Sequence, residues 1–372
     1  MTDIRILSVS EAKLSNSEVC GFYEKHWERP IALARNDFFT WQMNQAPDGE
    51  GHNHSIVALQ GDKILAVMGV TPTQFLAEER TYEGAQLTTW VVSAEARGKG
   101  IGTGTLKFLQ NRYAILAGAG ITESALSLYL RAGFTFLAHI PRFFSVVDFV
   151  KAQVFTDVSP LARAVQERRQ MSSGQSSYSF EKVSAVELAV CAQSIGCAHF
   201  GRDPEWLKWR FDLHPAFEYE AFIIRDPSLA GQGAGAVLRF DTVQDVPIVH
   251  VIDLFGAIEH IGSALTFVED EAVRRGAAFV DISLTAGPLI GHLRARGWNS
   301  VVDDPHLKMP SLFHPLEMRE PATTSMVLWA RDAQARVYDF NNIHITRADM
   351  DLDRPTLHWY KSAGLGSEGA LA

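Results

Sequence analysis

Short apolar runs separated by Gly, Asp and polar turns set the rhythm of the first half of the chain. Residues 55–59 and 64–70 are two such runs, joined by Gln60-Gly61-Asp62-Lys63, and predict a hairpin. Residues 87–92 predict a third strand, and a helix-length segment from Thr103 to about Ala114 follows it. The same order returns later. Residues 220–225 and 234–240 flank a longer Pro/Gly/Ser loop, residues 249–255 match the third strand, and another helix-length segment comes next. Trp41 and Trp209 each precede a proline by six residues, Pro47 and Pro215, and lie 168 positions apart. Tyr129-Leu130-Arg131-Ala132-Gly133-Phe134 corresponds to Leu293-Arg294-Ala295-Arg296-Gly297-Trp298, with the glycines 164 apart. Landmarks in one order at a nearly constant offset predict two copies of a single mixed α/β unit.

Between the copies, residues 151–170 predict a helix, and Met171-Ser172-Ser173-Gly174-Gln175-Ser176-Ser177 has the composition of a linker. The expected division is a first domain at 1–150, a helix and linker at 151–179, and a second domain at 180–372. The tail predicts one more strand near 340–346 and then an acidic loop, Asp349-Met350-Asp351-Leu352-Asp353-Arg354-Pro355. Residues 126–150 are strongly apolar, but Arg131, His139, Arg142 and Asp148 interrupt them, so they predict core and not a membrane span.

Composition narrows the chemistry. In 372 residues, 43 are acidic and 34 basic, a net charge of -9, which argues against a general nucleic-acid binder and is compatible with an amine substrate. Cys20, Cys191 and Cys197 form neither a zinc pattern nor a CxxC pair, and the amino terminus lacks the apolar run of a signal peptide. A cytoplasmic protein with reduced thiols is expected, with no membrane partner and no metal. The pair His52 and His54 has no third ligand in view.

The segment Arg97-Gly98-Lys99-Gly100-Ile101-Gly102-Thr103-Gly104 stands between a predicted strand and a predicted helix. Glycines there let several backbone N–H groups converge on one anion, and the positive end of the following helix adds to the attraction. A phosphate or diphosphate is the expected ligand. The G-x-G-x-x-G fingerprint fails in both registers, ending on Thr103 or Thr105. The P-loop pattern fails because Gly98-Lys99 precedes Gly100 and not Ser or Thr.

What fits is R-x-x-G-x-G, as Arg97, Gly100 and Gly102. It resembles the diphosphate loop of the GNAT superfamily, the acetyl-coenzyme-A-dependent N-acetyltransferases. The resemblance extends back to Val92-Ser93-Ala94-Glu95-Ala96, with Ala where the family has Pro and Tyr, and forward to the Tyr129–Phe134 element. It implies two tandem GNAT-like domains, each a mixed, mostly antiparallel sheet flanked by helices. It also implies acetyl-CoA as co-substrate, bound by Trp90, Val91, Val92, Arg97, Gly98, Lys99, Gly100, Ile101, Gly102 and Thr103. An amine would attack the thioester directly in a ternary complex, an amide of the strand at 90–92 would hold the oxyanion, and Tyr129 would be the general acid. No base declares itself. Glu83 and Asp253 are the carboxylates carried forward, with Glu123 and the two histidines also weighed.

The second copy has Gly256-Ala257-Ile258-Glu259-His260-Ile261-Gly262 in place of the loop and Leu293 in place of Tyr129. It is expected to bind no coenzyme A and to wall the acceptor site or support it structurally. Trp206-Leu207-Lys208-Trp209-Arg210-Phe211 and the acidic tail are similar to a tandem GNAT subgroup of amino-sugar and polysaccharide pathways, whose tail reads closer to D-G-D-x-D-R-P. The resemblance therefore implies an N-acyltransferase acting on a small primary amine, such as an amino sugar or its nucleotide-linked form. The alternatives are an acyl-CoA-binding sensor without turnover and an aminoacyl- or peptide-directed transferase.

Overall fold

The computed structural model describes residues 3–156, 159–172, 177–304, 308–332 and 337–364. Residues 173–176, the middle of the expected linker, lie outside it. In the first half the strands are β1 (Ile4–Ser8), β2 (Ile56–Gln60), β3 (Lys63–Ala77), β4 (Arg80–Val92), β5 (Ile115–Ala119), β6 (Thr135–Leu137) and β7 (Arg142–Val146). The second half holds β8 (Ser179–Val183), β9 (Ala198–Phe200), β10 (Glu220–Arg225), β11 (Ala234–Val243), β12 (Val246–Gly256), β13 (Phe279–Ser283) and β14 (Asn299–Ser300). It also holds β15 (Pro310–Phe313), β16 (Leu316–Met318), β17 (Met326–Ala330) and β18 (Ile343–His344). The repeat is real in space. The hairpins β2–β3 and β10–β11 are antiparallel, while β4 with β5 and β12 with β13 are the parallel pairs. Helices Ile101–Arg112 and Ile258–Arg274 make the crossovers, as a parallel pair requires.

The sheets do not divide where the chain was expected to. The front sheet runs β1-β2-β3-β4-β5-β17-β6, and the rear sheet runs β14-β7-β13-β12-β11-β10-β8. Strand β7 therefore leaves the first half for the rear sheet, and β17 comes back from the end of the chain to sit between β5 and β6. The boundaries 1–150 and 180–372 follow chain order and not the sheets. Every residue of β7, Arg-Phe-Phe-Ser-Val, is buried, which an interior strand covered on both faces demands and an edge strand cannot satisfy. A polar turn with the cis peptide bond His314-Pro315 closes the hairpin β15–β16, which has no counterpart in the first half.

The two halves meet at the paired tryptophans. Helix Asn36–Asn44 carries Trp41 and the turn Lys208–Asp212 carries Trp209. Their rings stack at 4.8 Å and 17°, each indole N–H donating to the other's backbone carbonyl, Trp41 to Trp209 at 3.1 Å and Trp209 to Trp41 at 3.0 Å. Such reciprocity marks a local two-fold relation between the copies. Around it one core cluster draws from both halves, with Tyr23, Phe39 and Val91 beside Trp206, Ile252 and Phe255.

The tail then threads the seam. Its strand β18 pairs with β9, which pairs with the far end of β3. It is shorter than the strand expected at 340–346, because Phe340–Asn342 forms a turn of 3-10 helix first. Beyond it, Ala348 N–H donates to Ile252 C=O of β12 at 3.1 Å, and Met350 N–H to Gln86 Oε1 of β4 at 2.9 Å.

A chain ended at residue 150 lacks the strand between β5 and β6 and leaves β7 without its neighbours. It is expected to lose the cooperative thermal transition of the full chain in scanning calorimetry. A sharp transition in the truncated chain would contradict the exchange.

Candidate functional site

Strand β4 builds the site by parting from β5. The two pair only from Gly84 to Leu87, so beyond Leu87 alternate amides of β4 face an opening instead of a neighbouring strand. On its other side β4 stays on β3, but the register shifts between Met68 and Gly69, where Met68 faces Trp90 and Gly69 faces Thr88. Thr89 is the extra residue of this bulge, with φ of 22°, a conformation a β-branched residue adopts only under constraint. Two of its constraints are visible. Tyr23 Oη donates to Thr89 C=O at 3.0 Å, and Arg354 Nη1 donates to Thr89 Oγ1 at 3.0 Å.

The Gly-rich loop lies at the mouth of the same opening. Helix Ile101–Arg112 begins at Gly100, with φ of 76°, and no side chain caps it. Its first internal bond runs from Gly104 N–H to Gly100 C=O at 3.0 Å, so the N–H groups of Ile101, Gly102 and Thr103 precede any intrahelical partner. A Cβ on Gly102 would sit 3.0 Å from Leu128 Cδ1 and 3.3 Å from the Trp90 ring, so only glycine lets the helix start approach Trp90 this closely. Glu95 is paired with Lys63 at 2.8 Å, and among the described residues neither Arg97 nor Lys99 has an acidic partner. The loop is cationic, exposed and rich in free donors.

These features border one cavity of about 960 Å³. Trp90, Val92, Arg97, Gly98, Gly100, Ile101, Gly102 and Thr103 line it from one side, and Tyr129 from another. The buried Tyr129 ring packs edge-on against Trp90 at 5.8 Å and Phe134 at 5.0 Å. Its hydroxyl makes no hydrogen bond among the described residues, and burial pushes the phenol well above its ordinary pKa. The far wall comes from the rear sheet, the β15–β16 hairpin and the tail, through Arg142, Ser283, Ser311, Arg347, Asp351 and Arg354.

The remaining expected residues lie elsewhere. Val91 points to the shared core, as the two-residue period of a strand requires when Trp90 and Val92 face the cavity. Lys99 is exposed beside the loop without lining the cavity. Glu83 is exposed, seven residues along β4 from Trp90, or about 23 Å at the rise of a strand, too far to take a proton at the bulge. Asp253 has no solvent access and is committed to structure. It accepts from Arg202 Nε at 2.7 Å and from Thr346 Oγ1 at 2.9 Å, with His344 Nε2 at 3.5 Å. Burial pushes its carboxyl up, but Arg202 and His344 outweigh that and hold it at about 2. His54 bonds Tyr113 Oη at 3.0 Å and Gly49 C=O at 3.3 Å, a structural role. Among the described residues no three His, Cys, Asp or Glu side chains converge as metal ligands would.

Asp351 is the carboxylate that sequence reasoning passed over. It receives Thr88 Oγ1 of the bulge and pairs with Arg354 Nη1 at 2.9 Å, so it lies where β4 turns aside. Its signal was the tail itself, in which aspartates alternate. Asp349 takes Arg202 at 2.8 Å through both oxygens, Asp353 takes Tyr219 Oη at 2.9 Å, and Asp351 between them projects into the cavity.

In the rear half, the segment before the equivalent helix is covered. Ala257 N–H donates to Gly233 C=O at 3.3 Å, and a Cβ on Gly256 would fall 2.7 Å from that same carbonyl. His260 reaches Asp226 N–H at 3.0 Å and Ala230 C=O at 3.2 Å, pinning the overlying loop.

Residues 12–134 match the family model of the acetyltransferase (GNAT) family. The chain carries a GNAT acetyltransferase domain. Acyl-coenzyme A is the co-substrate class of that family. Among solved structures, a GCN5-related N-acetyltransferase from Kribbella flavida is 17% identical over 90% of this chain and 73% of its own, with a TM-score of 0.54. A conserved protein of unknown function from Enterococcus faecalis V583 is 12% identical, covering 90% and 74%, at 0.56. A GCN5-related N-acetyltransferase from Anabaena variabilis ATCC 29413 is 12% identical, covering 89% and 74%, at 0.54. At such identities the likeness is one of fold. It spans both halves of this chain, which are two tandem GNAT-like units. No curated protein sequence matches. Among the described residues no helix is long and apolar enough to cross a membrane.

The depressed pKa of Asp253 has a signed consequence. Its contribution is fully present above about pH 4, the unfolded value, and is lost as pH falls toward 2. Asp253→Asn is expected to lose roughly 1.5–3 kcal/mol of stability at neutral pH by removing one of the two carboxylates that hold the buried Arg202, which keeps Asp349. In urea denaturation its stability should fall less steeply than the parent's between pH 4 and 2.

Proposed function

We propose that the protein is a coenzyme-A-dependent N-acyltransferase that moves an acetyl group to the primary amine of a small molecule, of the amino-sugar class or its nucleotide-linked form. The observation that carries this reading is the uncapped N-terminus at Ile101–Thr103, opening on the same cavity as the β4 bulge, Tyr129 and Asp351. The residues present fit the co-substrate. Free amides and unpaired Arg97 and Lys99 suit a diphosphate, Gly98 and Gly100 leave open space, and the unpaired edge of β4 suits an extended amide-bearing arm.

Bound there, acetyl-CoA supplies the thioester whose carbonyl carbon the amine attacks. Amides of β4 beyond Leu87 are fixed donors for the oxygen that gains charge. Asp351 is placed to hold the incoming ammonium and to accept its proton, while Thr88 and Arg354 fix the carboxylate's orientation. Tyr129 donates its hydroxyl to the departing sulfur. Its raised pKa keeps the proton on oxygen at any working pH, so Tyr129 steadies the departing thiolate as a hydrogen-bond donor, and the thiolate takes its proton from solvent on release. Because Asp253 and Glu83 lie off the cavity, neither has a part in these steps.

Release of free thiol over a panel of amines tests the reading and separates it from a sensor that binds acyl-CoA without turnover. Gly100→Glu is expected to abolish acetyl-CoA binding by calorimetry, since it sets a carboxylate and a strained left-handed residue where the diphosphate belongs; unchanged binding would refute the loop assignment. Tyr129→Phe is expected to lower kcat at least tenfold with cofactor affinity unchanged. Equal turnover would place the donor elsewhere.

A further inference from the structure

The wall of the cavity opposite the Gly-rich loop is more cationic than an amine needs. Arg142 ends the exchanged strand β7 and pairs across the sheet with Ser283 of β13. Its Nε and Nη2 donate to Asp281 Oδ2 at 2.9 and 2.7 Å, and its Nη1 donates to the carbonyls of Pro310 and Ala322, both at 2.7 Å. Pro310 is the neighbour of Ser311, so Arg142, Ser283 and Ser311 stand together. Arg347 joins them through the shared Asp281, with Nη1 on Oδ1 at 3.0 Å and Nη2 on Oδ2 at 2.5 Å. Arg142, Arg347, Ser283 and Ser311 line the cavity; Asp281 does not.

Two guanidiniums therefore lean on one carboxylate. His250 also contacts Asp281, at 2.5 Å, and burial above all, helped by Arg239 and Arg347, lowers its pKa against the pull of that carboxylate. Arg210 and Arg239 face Asp353 close by, and Asp241 is shared between Arg239 and His314. The balancing negative charge belongs to Asp253 and Asp349 on Arg202, and neither carboxylate lines the cavity. Locally the wall has a surplus of positive charge beside low-dielectric surroundings, a costly arrangement unless an anion meets it.

Its donors are also waiting. Ser311 Oγ is buried without a hydrogen-bond partner, Ser283 makes no side-chain hydrogen bond among the described residues, and Arg347 Nε is likewise unused. A buried hydroxyl left unpaired is unfavourable, and a ligand oxygen would relieve it.

We propose that the acceptor carries an anionic group, a carboxylate or a phosphate, that is received by Arg142, Arg347, Ser283 and Ser311 while its amine lies at Asp351. The inference rests on the acyltransferase reading above and narrows its substrate to amines bearing such a group. An acceptor of this kind spans the cavity with opposite charges at its two ends. A neutral amine fills only one of them.

The test uses the full chain loaded with coenzyme A and matched pairs of probes, D-glucosamine 6-phosphate against D-glucosamine and L-serine against L-serinamide, titrated by calorimetry. A preference of tenfold or more for the charged member of either pair supports the proposal, and the pair that shows it tells phosphate from carboxylate. Ser311→Ala should then weaken that charged member about tenfold, with acetyl-CoA affinity unchanged. Charged members that bind no better than neutral ones, or a Ser311→Ala variant that binds them equally well, overturn it. Loss of acetyl-CoA binding in the parent protein would instead refute the reading of the loop, and the two failures are read in separate titrations.

Discussion

Arg202 holds the molecule together at its seam. Its guanidinium is fully enclosed and bonds Asp253 of β12 on one side and both oxygens of Asp349 in the tail on the other. Burial works against its charge, but the two aspartates outweigh that and raise its pKa above the ordinary value. A carboxylate pair with one cation between them admits almost no freedom of position, so the tail is fixed relative to the rear sheet. One residue later Met350 N–H fixes the tail to Gln86 of the front sheet. Asp351 is thereby delivered to the bulge of β4 from a segment remote in sequence. The cavity needs both sheets and the tail to exist at all.

What could be read along the chain was local or periodic. The loop Arg97–Gly104 stood out as an expected anion site because glycines and a helix start are contiguous, and the duplication declared itself because Trp41 and Trp209 hold equivalent places. That equivalence then misled the choice of Asp253. It lies on β12, the counterpart of the cavity-side strand β4, but Val237 and Leu238 of β11 straddle a register shift there and Asp253 turns into the sheet seam, away from the cavity. The exchange of β7 and β17 was not legible, since a buried run specifies that it is covered and not by which neighbour. Asp351 was invisible for a related reason: its partner Thr88 lies 263 residues away.

One departure noted in the tail becomes intelligible in three dimensions. Met350 stands where similar tails have glycine, and its φ of 56° is in the left-handed region that glycine enters freely. The side chain is buried in a core cluster with Phe75, Phe200 and Ile345. Burial of a methionine is worth roughly 1.5–3 kcal/mol and the left-handed conformation costs about 1–2, so packing offsets the strain and the aspartates on either side keep their alternation.

The strand exchange also sets an order on how the polypeptide can be made. Front-sheet strands β5 and β6 are separated by a gap that only Met326–Ala330 fills, and those residues emerge from the ribosome some 190 positions after β6. Until then the nascent chain carries two unpaired strand edges beside an apolar interior, the kind of surface that chaperones cover. The Gly-rich loop, although encoded early, acquires its finished scaffold almost last.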